Sequence, residues 1–169
     1  ASTEDGVRPL IFQDVDGVLN RSPTGAPIDA ELLGNLADLA RRTDANIVIS
    51  SAWRKSPPAL RELLGSLRRD AGVPTSRLLG ATPSLCPGVE CRAAEISSWL
   101  RAHPRQAAGA RWVAIDDRDL GRQDPDLLRG HFVRTDGRVG LTRERALAAE
   151  RLLLPAGAAA RAAGTRRFL

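Results

Sequence analysis

No apolar stretch in the sequence approaches the roughly 20 residues that a bilayer-spanning helix needs. The N-terminus, Ala1-Ser2-Thr3-Glu4-Asp5-Gly6, is polar and has none of the apolar core of a secretory signal. A cytoplasmic protein without a membrane partner is therefore expected. Methionine is absent altogether, so the initiator has been removed or the chain trimmed. Aromatic residues are scarce: Trp53, Trp99, Trp112, Phe12, Phe132 and Phe168, most of them inside apolar runs. They read as core and offer no exposed stripe on which bases could stack. Lys55 is the sole lysine among many arginines, which together with abundant alanine reads as GC-rich coding. The two cysteines, Cys86 and Cys91, are too few and too far apart for a zinc site, and His103 and His131 are not spaced to complete one. A disulfide is not expected in the cytosol, so both cysteines are read as small loop or helix-start residues.

What is present is ordinary for a globular domain. The chain has 169 residues, 43% hydrophobic and 27% charged, enough for one domain with a real core. Residues 1–154 form that domain, and residues 155–169 are a basic tail rich in Ala, Gly and Arg. The net charge is +5, of which the segment from Arg143 onward supplies +4. A basic end can draw a protein toward nucleic acid by releasing counterions. Here it is read as a solvated helix face followed by a disordered end.

Strand-like and helix-like patterns alternate along the chain. Strands are expected over residues 8–14, 46–51, 77–81, up to 115, and 131–134. Asp29 is placed to cap a helix through Thr43, with Leu32, Leu33, Leu36, Leu39 and Ala40 on one face. Further helices are expected from Pro57-Pro58 to Asp70, over 89–102 and over 143–154. The loop Arg21-Ser22-Pro23-Thr24-Gly25-Ala26-Pro27 is too rich in Pro and Gly to be regular. Such alternation implies an α/β fold: a Rossmann-like, three-layer architecture around a mainly parallel five-stranded sheet.

Polar chemistry gathers at the strand ends. The run Leu10-Ile11-Phe12 leads into Gln13-Asp14-Val15-Asp16-Gly17, two carboxylates two residues apart. Carboxylates so placed repel each other unless a cation or a proton lies between them. Asn46-Ile47-Val48-Ile49 ends in Ser50-Ser51, and Trp112-Val113-Ala114-Ile115 ends in Asp116-Asp117. In open α/β sheets the carboxyl ends of the strands are where sites are built.

This ordered set resembles the haloacid dehalogenase-like superfamily of phosphotransferases over roughly residues 8–142. Its DxDG motif matches Asp14-Val15-Asp16-Gly17. Its hydroxyl-ended strand matches Ser51, with Ser50 as the lesser choice, and its acidic pair matches Asp116-Asp117. The basic residue that the family carries before that pair is assigned to Arg92, which opens the segment Arg92-Ala93-Ala94-Glu95-Ile96. Ser50-Ser51-Ala52-Trp53-Arg54, Glu95-Ile96 before Trp99-Leu100, and His131-Phe132-Val133-Arg134-Thr135-Asp136 are similar to a branch found in multidomain RNA-repair proteins. Gln13 departs from the usual apolar residue before the first Asp.

The resemblance implies a Mg²⁺-dependent phosphatase with a covalent aspartyl-phosphate. Asp14 is then the nucleophile and Asp16 the acid and base. Ser51 and Arg92 act on the phosphoryl group, with Ser50 and Gly17 as further substrate contacts; Arg54, just past the second motif, is open equally to a substrate contact and to a salt bridge. Asp14, Asp16, Asp116 and Asp117 are the implied metal set, with the first-coordinated member of the last pair left open. The gaps from Asn20 to Asp29 and from Ser51 to Asp116 leave no room for the family's inserted cap domains. An uncapped site suits large phosphorylated substrates such as polynucleotide ends. The alternatives are a small-molecule phosphatase and a catalytically silent binding module.

Overall fold

The computed structural model describes residues 6–21 and 26–156. Most of the basic tail, residues 157–169, lies outside them. The chain forms one five-stranded sheet from β1 (Leu10–Gln13), β2 (Asn46–Ile49), β3 (Leu78–Ala81), β4 (Trp112–Asp116) and β5 (Phe132–Arg134). The strand order is β3-β2-β1-β4-β5, and all four pairings are parallel. Every strand therefore ends at the same edge of the sheet.

Side-chain alternation divides the core in two. Ile11, Ile47, Ile49, Val113 and Ile115 face α1 (Ala30–Thr43), α2 (Pro57–Gly65) and α7 (Arg143–Leu153). Leu10, Phe12, Val48, Trp112 and Ala114 face α3 (Arg92–Ala102) and, beyond the short α4 (Pro104–Ala107), α5 (Leu120–Gln123) and α6 (Pro125–Leu128). On this second face Trp99 and Trp112 each form a T-shaped pair with the Phe12 ring, with centroids 5.5 and 5.6 Å away. The three tryptophans are buried, as expected of core residues. Strands buried on both faces explain the near-continuous apolar runs, since helices cover each side.

Helix α1 starts where the sequence places it. The Asp29 carboxylate accepts the N–H groups of Glu31 and Leu32, which satisfies two of the donors that a helix start leaves open. The helix stops at Asp44, which takes the left-handed conformation at φ 56°. The segment expected as one helix to Asp70 changes its winding after Gly65 into a wider turn over Ser66–Asp70. Helix α3 begins at Arg92 rather than Val89, because residues 83–91 are held as a loop. Between β1 and α1, and between β2 and β4, the described residues contain no inserted domain.

One expectation is overturned. Cys86 and Cys91 are joined by a disulfide that closes this loop. The turn sets the two Cα atoms 6.0 Å apart, within the span that disulfides bridge. No helix among the described residues is long and apolar enough to cross a membrane.

Candidate active site

The carboxyl ends of β1, β2 and β4 lie side by side, and the chain continues from each in a way that fixes a polar group. The Asp14 N–H donates to the Ile115 carbonyl at 3.1 Å, and the Ser50 N–H donates to the Gln13 carbonyl at 2.8 Å. Sheet pairing thus reaches one residue past β1 and β2 and holds Asp14 and Ser50 in register beside Asp116. Helix α3 then brings Arg92 over all three strand ends. A single terminal nitrogen, Nη1, donates to the Asp116 carboxylate at 2.6 Å and to the Ser50 carbonyl at 2.6 Å. The same nitrogen lies 3.2 Å from Asp14 Oδ1. Arg92 is 4% exposed, Asp14 4% and Asp116 1%.

One buried guanidinium does not balance this much negative charge. Oxygen atoms of Asp14, Asp116 and Asp117 lie within 4.8 Å of one another. Burial, the largest cause, pushes the Asp14 carboxyl above its ordinary value against the pull of Arg92. Asp116 is raised well above the ordinary value, first by burial and then by the charge of Asp14. Three convergent carboxylates of this kind form an all-oxygen donor set that suits a hard divalent cation. The residues present fit Mg²⁺. Both Asp116 oxygens already accept hydrogen bonds, Oδ2 from Arg92 and Oδ1 from the Arg118 N–H at 2.8 Å. Asp117 is looser, with its side chain 26% exposed and the Arg118 guanidinium 3.9 Å away.

The loop after β1 is shaped to meet Asp117. Gly17 sits at φ 73°, and a Cβ there would fall 2.5 Å from Asp117 Oδ2 and 2.9 Å from the Gly137 Cα. Both the backbone angle and the close approach require glycine. Its carbonyl accepts the Thr135 hydroxyl at 2.8 Å. Asn20 orders the same turn: its oxygen accepts the Gly17 N–H at 2.9 Å, and its amide donates to Asp16 Oδ1 at 3.0 Å.

Asp14, Asp16, Gly17, Arg92 and Asp117 line one cleft of about 120 Å³, together with Ala52, Val89 and Arg118. Ser51 is fully buried; its hydroxyl accepts the Trp53 N–H and contributes to holding Asp14 ionised. Ser50 is held apart: its carbonyl serves Arg92, while its hydroxyl is buried without a partner among the described residues. Arg54 is turned into the protein. It pairs with buried Glu95 at 2.8 Å and donates to the Ser51 carbonyl at 2.6 Å. Asn20, Arg118 and Val89 were not given a role from the sequence, and Glu95 was noted only as part of the branch resemblance. Arg118 and Asn20 stand beside motif residues, and that adjacency was the only available signal. A larger cavity of about 320 Å³, lined by Arg41, Asp44 and Arg77 among others, opens beside the start of β2, away from this chemistry.

The raised carboxyls make a prediction about the metal-free protein. Asp14 and Asp116 hold their protons to higher pH in the fold than in the unfolded chain, where the ordinary value is 3.8. Their contribution favours the fold at low pH and is lost as pH rises through the raised values. In the presence of a chelator, Asp116→Asn should therefore be more stable than the parent near pH 7. The gap should narrow on acidification. Denaturant melts at several pH values would show it, and a gap that widens toward low pH would contradict the charge argument.

No curated protein and no solved structure is significantly similar to the chain. A family model, described as the HAD domain in Swiss Army Knife RNA repair proteins, matches residues 10–146. The match begins with β1, takes in the remaining strands and Asp14, Ser51, Arg92 and Asp116, and ends in the first turn of α7. The chain belongs to the family of HAD domains in Swiss Army Knife RNA repair proteins.

Proposed function

We propose that the protein is a Mg²⁺-dependent phosphatase that removes phosphate from polynucleotide ends through an aspartyl-phosphate on Asp14. The observation that carries this reading is the Asp14 carboxylate in the cleft, gripped by Arg92 and facing Asp117. The family's RNA-repair context supports the substrate class. So does the size of the cleft: at about 120 Å³ it is well below the roughly 300 Å³ of pockets that enclose small-molecule ligands. A phosphoryl group enters it while the rest of the substrate lies outside.

Asp14 attacks phosphorus, forming an O–P bond as the bond to the leaving oxygen breaks. Asp16, oriented by the Asn20 amide, gives its proton to that oxygen. Asp16 then takes a proton from water as the water oxygen displaces Asp14 from phosphorus, which releases phosphate and returns Asp14 as a carboxylate and Asp16 as the protonated acid. Arg92 holds positive charge against the phosphoryl oxygens, and the Ser51 hydroxyl hydrogen-bonds the Asp14 carboxylate. The Asp14 carboxylate, the Asp16 carbonyl and the Asp116-Asp117 pair would hold Mg²⁺. When bound, the ion supplies charge that neutralises the crowded carboxylates and the phosphoryl oxygens.

The test is phosphate release from RNA and DNA oligonucleotides phosphorylated at either end, from nucleotides and from sugar phosphates, with Mg²⁺ and with EDTA. Metal-dependent release from one oligonucleotide end, far faster than from mononucleotides, is expected. Preference for a small ester would refute the polynucleotide assignment, and no turnover of any ester would refute the phosphatase.

A further inference from the structure

A second, more open depression begins on the far side of Asp117. It has a volume of about 360 Å³ and is lined by Asp117, Arg134, Thr135, Asp136, Gly137 and Arg145. Asp117 lines both this groove and the catalytic cleft, so the two adjoin at that carboxylate.

Its lining carries two carboxylates and two guanidinium groups, and these do not pair with one another. Asp136, the acid inside the groove besides Asp117, is already engaged by the N–H, Nε and Nη2 of Arg138. Arg134, at the end of β5, uses Nε on the Asp117 carbonyl and Nη1 on Asp119. Its Nη2 has no hydrogen bond among the described residues, and its side chain is 55% exposed. Arg145, in the first turn of α7, is exposed and forms no ion pair among the described residues. The groove therefore presents unspent guanidinium donors one step from the reacting phosphate. A lone phosphomonoester is served by the cleft and has no use for them. A substrate with a second anion beside the first does.

We propose that this groove binds the phosphodiester next to the terminal phosphate of a single-stranded polynucleotide, with Arg145 as the principal contact and Arg134 as the second. The inference rests on the proposed phosphatase reading and gives it a selectivity device. Guanidinium groups suit phosphate because their donors match two of its oxygens at once. A contact to phosphate selects polymer over monomer and does not read base sequence.

Binding separates this proposal from the reading beneath it. In an Asp14→Asn background with Mg²⁺, the affinity of a short end-phosphorylated RNA or DNA strand is compared with that of the matching mononucleotide. The ratio of the two is the readout, so a general fault in a variant cancels. Arg145→Gln should lower the ratio about tenfold, and the salt slope for the oligonucleotide should fall by about 0.7, one phosphate contact on a single strand. RNA and DNA should lose alike. Arg151→Gln, an exposed arginine of the same helix outside the groove, controls for general charge. Equal effects of the two variants, no effect of Arg145→Gln, a loss confined to RNA or DNA, or no oligonucleotide binding at all would each overturn the groove. Failure of the phosphatase reading would show instead as absent phosphate release by the unaltered chain.

Discussion

Asp14→Asn should abolish turnover while leaving the fold standing. The amide keeps the shape of the side chain, and its oxygen can still accept from Arg92, 3.2 Å from Asp14 Oδ1 in the parent. What it loses is the anion that forms the bond to phosphorus. A covalent catalyst without its nucleophile retains only binding and electrostatic assistance, so kcat should fall by at least about 10³-fold. The stability change has the opposite sign to that of most buried polar substitutions. Removing one charge from the crowded set relieves Asp116, whose proton affinity Asp14 raises. The metal-free melting temperature should hold or rise. Activity assays and thermal melts on one preparation separate a lost nucleophile from a damaged protein. Turnover near the normal rate would rule out the covalent route through Asp14.

Arg92→Ala should be damaging in both respects. The guanidinium is 4% exposed and serves Asp14, Asp116 and the Ser50 carbonyl through one nitrogen. Removing it leaves two buried carboxylates facing each other and a buried carbonyl short of its donor. Losing one partner of a buried ion pair typically costs about 3–5 kcal/mol, which for a chain of this length is a drop of roughly 6–20 °C in melting temperature. Activity should fall by about 10²–10³-fold, the scale of one preorganised charge contact to the reacting group. Arg92→Lys keeps the charge and three donors, so it should recover more stability than activity, because an ammonium does not share the guanidinium's reach and planarity. Added Mg²⁺ should narrow the stability loss of the Ala variant by supplying the missing positive charge. If Arg92 were only a solvated helix residue, the Ala variant would melt within about 0.5 kcal/mol of the parent.

Fold and site were unequally legible. Strand ends were readable because apolar runs buried on both faces stop abruptly at a polar residue, as at Gln13-Asp14, Ile49-Ser50 and Ile115-Asp116. Asp29 was readable as a cap because a short acid before an apolar-periodic segment has few other uses. Arg92 could be ranked first among many arginines only through the family resemblance, which calls for a basic residue near a helix start before the acidic pair, and its grip on three strand ends is a tertiary fact that no local pattern encodes. Arg54 lay equally open to a substrate or an ion-pair reading, and the structure gives it to Glu95, which is 41 positions away. Asn20 lay in plain view after the DxDG motif. Its role depends on a turn that folds its amide back on Asp16, and periodicity says nothing about such turns. The disulfide was misread because a rule about compartments was applied to a question of distance.

The Arg92 junction also has a temporal meaning. Its partners come from the ends of β1, β2 and β4, so Asp14 and Asp116 are separated by most of the domain along the chain. During synthesis the first carboxylate emerges long before the arginine, and the arginine before Asp116. Until β4 pairs beside β1, Arg92 lacks the closer of its two carboxylate partners and the catalytic charges have no common centre. Pairings this distant along the chain close late, because the intervening segment must first be ordered. A chain cut short before Asp116 is therefore left with a mismatched buried charge as well as without a working site, and both faults expose it to the machinery that removes incomplete proteins.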